Sequence, residues 1–160
     1  MRLYIKNHLF GLKGSSSVVD ERGISVFQVE GKAMSPTHKK FICDLRGNKL
    51  FTVRNKFWRL FRRSALVYGQ NGEKIGKMKE RLFVGLEFID DYGIEVKGKL
   101  FQGIQVLRNG QLIGWFCRKY NSALLLERDT YTLDVYNSCD AALLVAIVIA
   151  YDNICDDRRD

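Results

Sequence analysis

Proline is almost absent from this chain: Pro36 stands alone among 160 residues that include 14 glycines. That excludes Pro-rich linkers and polyproline recognition segments, and the glycine excess suits many tight turns between strands. Cysteine is present, but Cys43, Cys117, Cys139 and Cys155 form no CxxC pair, and His8 and His38 lie far from them in sequence. Zinc spacing is therefore missing, and no metal or other cofactor is expected. No glycine-rich loop precedes a helical pattern, so nucleotide binding of the P-loop or Rossmann kind is not expected. Ser15-Ser16-Ser17 lacks a Gly-x-Ser-x-Gly context and reads as a β-edge or loop. Asp90-Asp91 precedes Tyr92-Gly93 and reads as a turn, not as an acid–base pair. No catalytic residue is expected, and the chain does not read as an enzyme. The first ten residues, with Arg2 and Lys6 among apolar positions, lack the apolar core of a signal peptide. Reduced cysteines and a cytoplasmic location are the corresponding expectation.

What is present fits one domain spanning residues 1–160, long enough to bury a core without disulfides or metals. Hydrophobic residues make up 46% and aromatics 12%, too many for a disordered chain. The net charge of +8 is uneven. Residues 1–120 carry 23 basic and 10 acidic side chains, whereas residues 121–160 carry 3 and 8. A basic body attracts nucleic acid, acidic lipid or acidic protein; the same lysines also keep a strand-rich protein soluble and guard strand edges.

Turn signals divide the chain at short intervals. Asp20–Gly23, Asp44–Asn48, Gln70–Gly72, Asp90–Gly93 and Arg108–Gly110 each join a polar residue to a glycine able to take positive φ. Between them lie stretches of strand character, including Ile24–Glu30, Leu50–Arg54, Ile94–Lys97 and Thr130–Tyr136, about a dozen in all. The chain also echoes itself. Val29-Glu30-Gly31-Lys32 returns as Val96-Lys97-Gly98-Lys99, and Leu45–Leu50 returns as Leu107–Leu112, in the same order. Two similar β-meander halves follow, folded into a sandwich or closed as a barrel.

From Ser138 the pattern changes. Ala142, Ala146 and Ala150 fall four apart, and large aliphatic residues cover most of the remaining helix surface. A helix of about 138–153 that is apolar all round has to be surrounded, with Ser138 or Asp140 as its N-cap; the β-branched content leaves a buried strand as the competing reading. Burying its eight large apolar side chains contributes on the order of 12–24 kcal/mol gross. The uncharged run Ala141–Tyr151 has 11 residues, roughly 17 Å as a helix against a hydrocarbon core of about 30 Å, so no transmembrane segment is expected.

The terminal Asp140–Ile154 segment, Leu3-Tyr4-Ile5-Lys6, Val29-Glu30-Gly31-Lys32 and Lys74-Ile75-Gly76-Lys77 together resemble the LURP-one-related family of the Tubby C-terminal-like superfamily. The resemblance covers nearly the whole chain, and the short length suits the compact bacterial members. It implies a mainly β fold: a twelve-stranded antiparallel closed barrel around a buried hydrophobic C-terminal helix. Superfamily relatives include phosphoinositide-binding tubby proteins and phospholipid scramblases, and no catalytic residues carry over.

The most unusual stretch is Arg54–Arg63, five cations and three aromatics in ten residues. As a protruding loop, Phe57, Trp58 and Phe61 would enter a lipid interface while Lys56, Arg59, Arg62 and Arg63 hold phosphates, making the protein peripheral at a membrane. The same residues suit single-stranded nucleic acid, the less favoured partner. The plainer alternative turns the aromatics into the barrel and the cations to solvent, leaving a protein-interaction or structural module. Lys77–Arg81 and Arg118-Lys119 are smaller basic clusters that read as a solvated face unless folding gathers them beside Arg59 and Arg62.

Overall fold

The structure, a computed structural model, describes residues 1–6, 15–31, 35, 37–56, 64–81, 85–99, 102–119 and 130–156. Twelve strands precede the helix: β1 (Arg2–Lys6), β2 (Ser15–Asp20), β3 (Ser25–Gly31), β4 (Lys40–Cys43), β5 (Lys49–Asn55) and β6 (Ser64–Tyr68) form the first six. The second six are β7 (Lys74–Arg81), β8 (Gly85–Asp90), β9 (Ile94–Lys99), β10 (Gly103–Arg108), β11 (Gln111–Lys119) and β12 (Thr130–Val135). All pair antiparallel in the order β8-β7-β6-β5-β4-β3-β2-β1-β12-β11-β10-β9. β8 and β9 lie side by side without a ladder between them, so the barrel is nearly closed, with one seam, where full closure was expected. The serines of residues 15–17 belong to β2 and pair with Gln28–Glu30 of β3, while the ladder to β1 covers only Val18–Asp20.

The internal echo acquires a geometric meaning. Val29–Gly31 ends β3 and Val96–Lys99 ends β9, six strands later; the second echo brackets the β4–β5 and β10–β11 turns. Twelve strands built as two sets of six place echoed elements on opposite sides of the barrel.

All five turn signals mark strand connections, and all five fall at one end. In Asp20–Ile24, Asp44–Asn48 and Asp90–Ile94 the first Asp accepts from the backbone N–H two and four residues on, at 2.8–3.1 Å. The fourth position is Gly23, Gly47 or Gly93, with φ of 78°, 85° and 69°, a conformation that excludes most side chains. The β6–β7 turn repeats the backbone bonds with Gly69 in the Asp position, and the Glu73 carboxylate lies where a side chain at 69 would be. Asn109 and Gly110, at φ 50° and 79°, make the two-residue hairpin that Asn-Gly favours.

A 3-10 turn (Ser138–Asp140) leads into α1 (Ala141–Asp156), which fills the barrel from the short-turn end. The competing strand reading is thereby excluded. Asn137 caps the 3-10 turn, its Oδ1 accepting from Cys139 N at 3.1 Å, while the Asp140 carboxylate pairs with Arg108. Leu144, Ala146, Ile147, Val148 and Ala150 are wholly buried, and Ala142 is the half-exposed member of the alanine stripe. β11 passes so close that a Cβ on Gly114 would lie 2.8 Å from Leu144 Cδ1, forcing one of them to move. The length argument against a membrane span needs correction. Ser138–Cys155 forms an 18-residue helical window of mean hydropathy 1.6, long and apolar enough by those measures to cross a bilayer. What assigns it to the core is position: 83% of that window is buried inside the barrel.

Candidate functional site: a basic, aromatic wall

Strand alternation sends every second residue of β4–β7 outward. In β5, Val53 and Asn55 point in while Arg54 points out; in β7, Met78 belongs to the core while Lys77 and Lys79 flank it on the outer face. The ladder sets Arg54 opposite Leu66 and Leu66 opposite Lys77, and it brings Ser64 opposite Lys79. Lys56 follows at the end of β5, its backbone N–H bonded to Ser64 O at 3.0 Å. Lys56, Lys74, Lys77 and Lys79 are thus neighbours. Partial burial and then the charges of Lys56, Lys79 and Lys74 hold the Lys77 ammonium below its usual pKa. Among the described residues none of the four makes an ion pair, although Glu87 stands opposite Lys79 in the β7–β8 ladder.

The same wall carries aromatic rings under cations. Lys49 Nζ lies 4.3 Å and Lys39 Nζ 5.1 Å from the Phe41 ring centre. The Arg54 guanidinium lies 4.9 Å from the Tyr68 ring and donates through Nη2 to its hydroxyl at 2.8 Å. These contacts keep the long side chains against the wall with their charged heads in solvent. Clustered cations that repel one another gain by holding an anion, because a shared phosphate or carboxylate removes that repulsion.

Of the residues singled out from sequence, Lys56 is exposed at the edge of this wall. Phe57, Trp58, Arg59, Phe61, Arg62 and Arg63 lie outside the described residues. Lys77 and Lys79, read as a separate small cluster, share the wall with Lys56. Arg118 departs from its expectation as a solvated cation: it is 8% exposed, with its guanidinium 5.7 Å from the Tyr131 ring.

Arg118 belongs to a polar group around the far end of α1 that sequence reasoning missed. Asp152 is fully buried there; it accepts from the Tyr131 hydroxyl at 2.9 Å and pairs with Lys40 Nζ at 3.4 Å. Asn153 Nδ2 donates to His38 O at 3.1 Å. Burial, then the Asp152 charge, drives the Tyr131 hydroxyl far above its usual pKa. Lys40 points inward between outward Lys39 and Phe41, and that strand alternation was the available signal. The group anchors the helix inside the barrel. Among the described residues no three His, Cys, Asp or Glu side chains gather to hold a metal.

A twelve-stranded, nearly closed antiparallel barrel filled by its own C-terminal helix defines the class of domain. The sequence profile of the LURP-one-related family matches residues 1–152, and the chain belongs to that family. A crystal structure of a protein from Arabidopsis thaliana shares the fold at a TM-score of 0.63 and 17% identity, covering 96% of this chain and 91% of that one. No match emerges among curated proteins.

Proposed function

We propose that this domain is a non-enzymatic binding module whose β4–β7 wall docks on anionic phospholipid, peripherally and from the cytoplasmic side of a membrane. The observation that carries the reading is the gathering of Lys56, Lys74, Lys77 and Lys79 with no ion pair among the described residues. Each cation near an anionic surface contributes about 1 kcal/mol. The chain from Phe57 to Arg63 joins β5 to β6 directly beyond Lys56, so its three aromatics and three arginines adjoin the wall in sequence. Under this reading those rings enter the interfacial zone that aromatic side chains favour.

Co-sedimentation with vesicles tests it. Binding rises with the fraction of anionic lipid, weakens with salt, and drops for Lys77→Glu with Lys79→Glu and for Trp58→Ala with Arg62→Glu. Unchanged binding by the first double variant rejects the wall; unchanged binding by the second removes residues 57–63 from the site. Oligonucleotide affinity with a steep salt slope and no lipid preference would instead assign the wall to single-stranded nucleic acid.

A further inference from the structure

The end of the barrel where the five short turns lie carries a second surface. Every large apolar side chain that the described residues leave exposed is there. Ile24, Leu45, Tyr92 and Leu112 sit in or beside four of the five turns, and Ile89 lies just before one of them. Met1 and Tyr136 flank the point where β1 begins and β12 ends. Scattered apolar residues are ordinary on a protein surface, but confinement to one rim is not scatter. The one short turn without such a residue, between β6 and β7, leads into Lys74 and so into the wall.

Charge separates this rim from the wall. Three of its four arginines are already neutralised: Arg2 by Asp134 at 2.6 Å, Arg22 by Asp20 at 3.1 Å, and Arg108 by Asp140 at 2.6 Å, whereas Arg46 in the β4–β5 turn makes no ion pair among the described residues. Membrane phosphates gain little where a guanidinium already holds a carboxylate, as three of these four do. Apolar and aromatic tips among arginines, with lysine confined to the edge, are instead the composition of a protein interface.

Within the rim, a cavity of about 240 Å³ opens between the β10–β11 turn and the start of the helix. Arg108, Gln111, Leu112, Tyr136, Asn137 and Asp140 help to line it. Pockets for whole small molecules span about 300–1,000 Å³, so this one suits a single side chain. Asp140 is 5% exposed; its Oδ1 takes the Arg108 bond, while its buried Oδ2 has no hydrogen-bond partner. The Arg108–Asp140 pair is neutral as a whole. A primary carboxamide complements it, with C=O accepting from the guanidinium and N–H donated to Oδ2 once the lining shifts to uncover that oxygen. A carboxylate would face the unpaired Asp140 oxygen, and an ammonium would face the guanidinium.

We propose that the short-turn rim is the docking face for a partner protein, and that the cavity takes one Asn or Gln side chain of that partner. The surface is separate from the lysine wall, and the two stand or fall independently.

Three blocked tripeptides, acetyl-Leu-Gln-Leu-N,N-dimethylamide and its Glu and Lys counterparts at the centre, none with a primary carboxamide at its C-terminus, probe the full chain by 1H–15N NMR. The Gln peptide is expected to saturate, with shifts confined to residues 109–113 and 136–140, at an affinity at least tenfold above the Glu and Lys peptides. Tyr136→Ala, at a side chain that contributes little to the core, weakens that titration several-fold and leaves vesicle co-sedimentation unchanged. Absence of saturation, equal affinity for the Glu or Lys peptide, or shifts away from these residues overturns the cavity assignment. Loss of vesicle binding in Leu45→Ser with Tyr136→Ala would make the rim a membrane face and overturn the protein-docking proposal.

Discussion

The wall and the rim are built from the same strands, yet they solve charge in opposite ways. On the wall, Lys56, Lys74, Lys77 and Lys79 crowd together, and the pKa of Lys77 falls through partial burial first and then through its cationic neighbours. On the rim, Arg2, Arg22 and Arg108 each hold a carboxylate, and exposed large apolar side chains lie among them. A net charge of +8 therefore describes neither surface. What matters is which cations fold next to a carboxylate. Asp20 of a short turn, Asp134 of β12 and Asp140 of the 3-10 turn supply those carboxylates at one end of the barrel, whereas the lysines of β5–β7 make no such ion pair among the described residues, although Glu87 stands opposite Lys79.

Both surfaces depend on the helix between them, so the largest effect comes from its middle. Ile147→Asp places a charge at a site with no solvent access and should cost about 5 kcal/mol or more. Soluble expression and urea denaturation will read it; a folded, monomeric variant would show that the helix is dispensable to both surfaces. Next in size is Asp152→Ala, which strips a buried partner from Lys40 and Tyr131 and is expected to destabilise by about 3–5 kcal/mol. Asp134→Ala, at a rim pair whose arginine is 46% exposed, should cost only about 0–1 kcal/mol. Equal losses would erase the distinction between the anchored interior and the neutralised rim.

The charge effect on binding falls between the losses for Asp152→Ala and Asp134→Ala. Lys77→Glu with Lys79→Glu removes two cations at about 1 kcal/mol each and adds two repelled anions, for a loss of affinity for anionic vesicles of roughly 30-fold or more. The smallest effect follows acid. The Ile24 and Arg22 backbone N–H groups hold Asp20 below 3.8, the Asn48 side chain and backbone do the same for Asp44, and Arg2 for Asp134. A depressed carboxylate pKa contributes stability above the unfolded value, and that contribution is lost as pH falls through the folded one. Amide exchange at Ile24 and Asn48 should therefore quicken below pH 3.8 while the β5–β7 ladder stays protected. Parallel loosening of the wall would mean that the turns and the wall are one cooperative unit.

Much of the architecture was legible because it is local. An Asp or Asn followed by a Gly fixes a turn through its own side chain and φ, so all five turns could be read without knowing what they join. The helix was legible from alanines four apart, and the family resemblance supplied its surroundings. The lysine wall was not legible, because Lys56 and Lys77 are 21 residues apart and meet only through the pairing of β5, β6 and β7. Asp152 and Asp140 read as the flanks of an apolar run; only the fold reveals that each is buried against a cation from a distant strand. The length argument misled for a related reason: counting uncharged residues stopped at Tyr151, whereas the helix continues through Asp152 and Asn153 because the barrel satisfies them.

Spin-labelled lipid in anionic vesicles, read as line broadening of individual amides, locates the membrane face directly. Broadening should concentrate at Arg54, Lys56, Lys77 and Lys79, with Leu45, Leu112 and Tyr136 unaffected. Broadening centred on those three rim residues, or none anywhere on the described surface, would contradict the division of the barrel into a lipid-facing wall and a protein-facing rim.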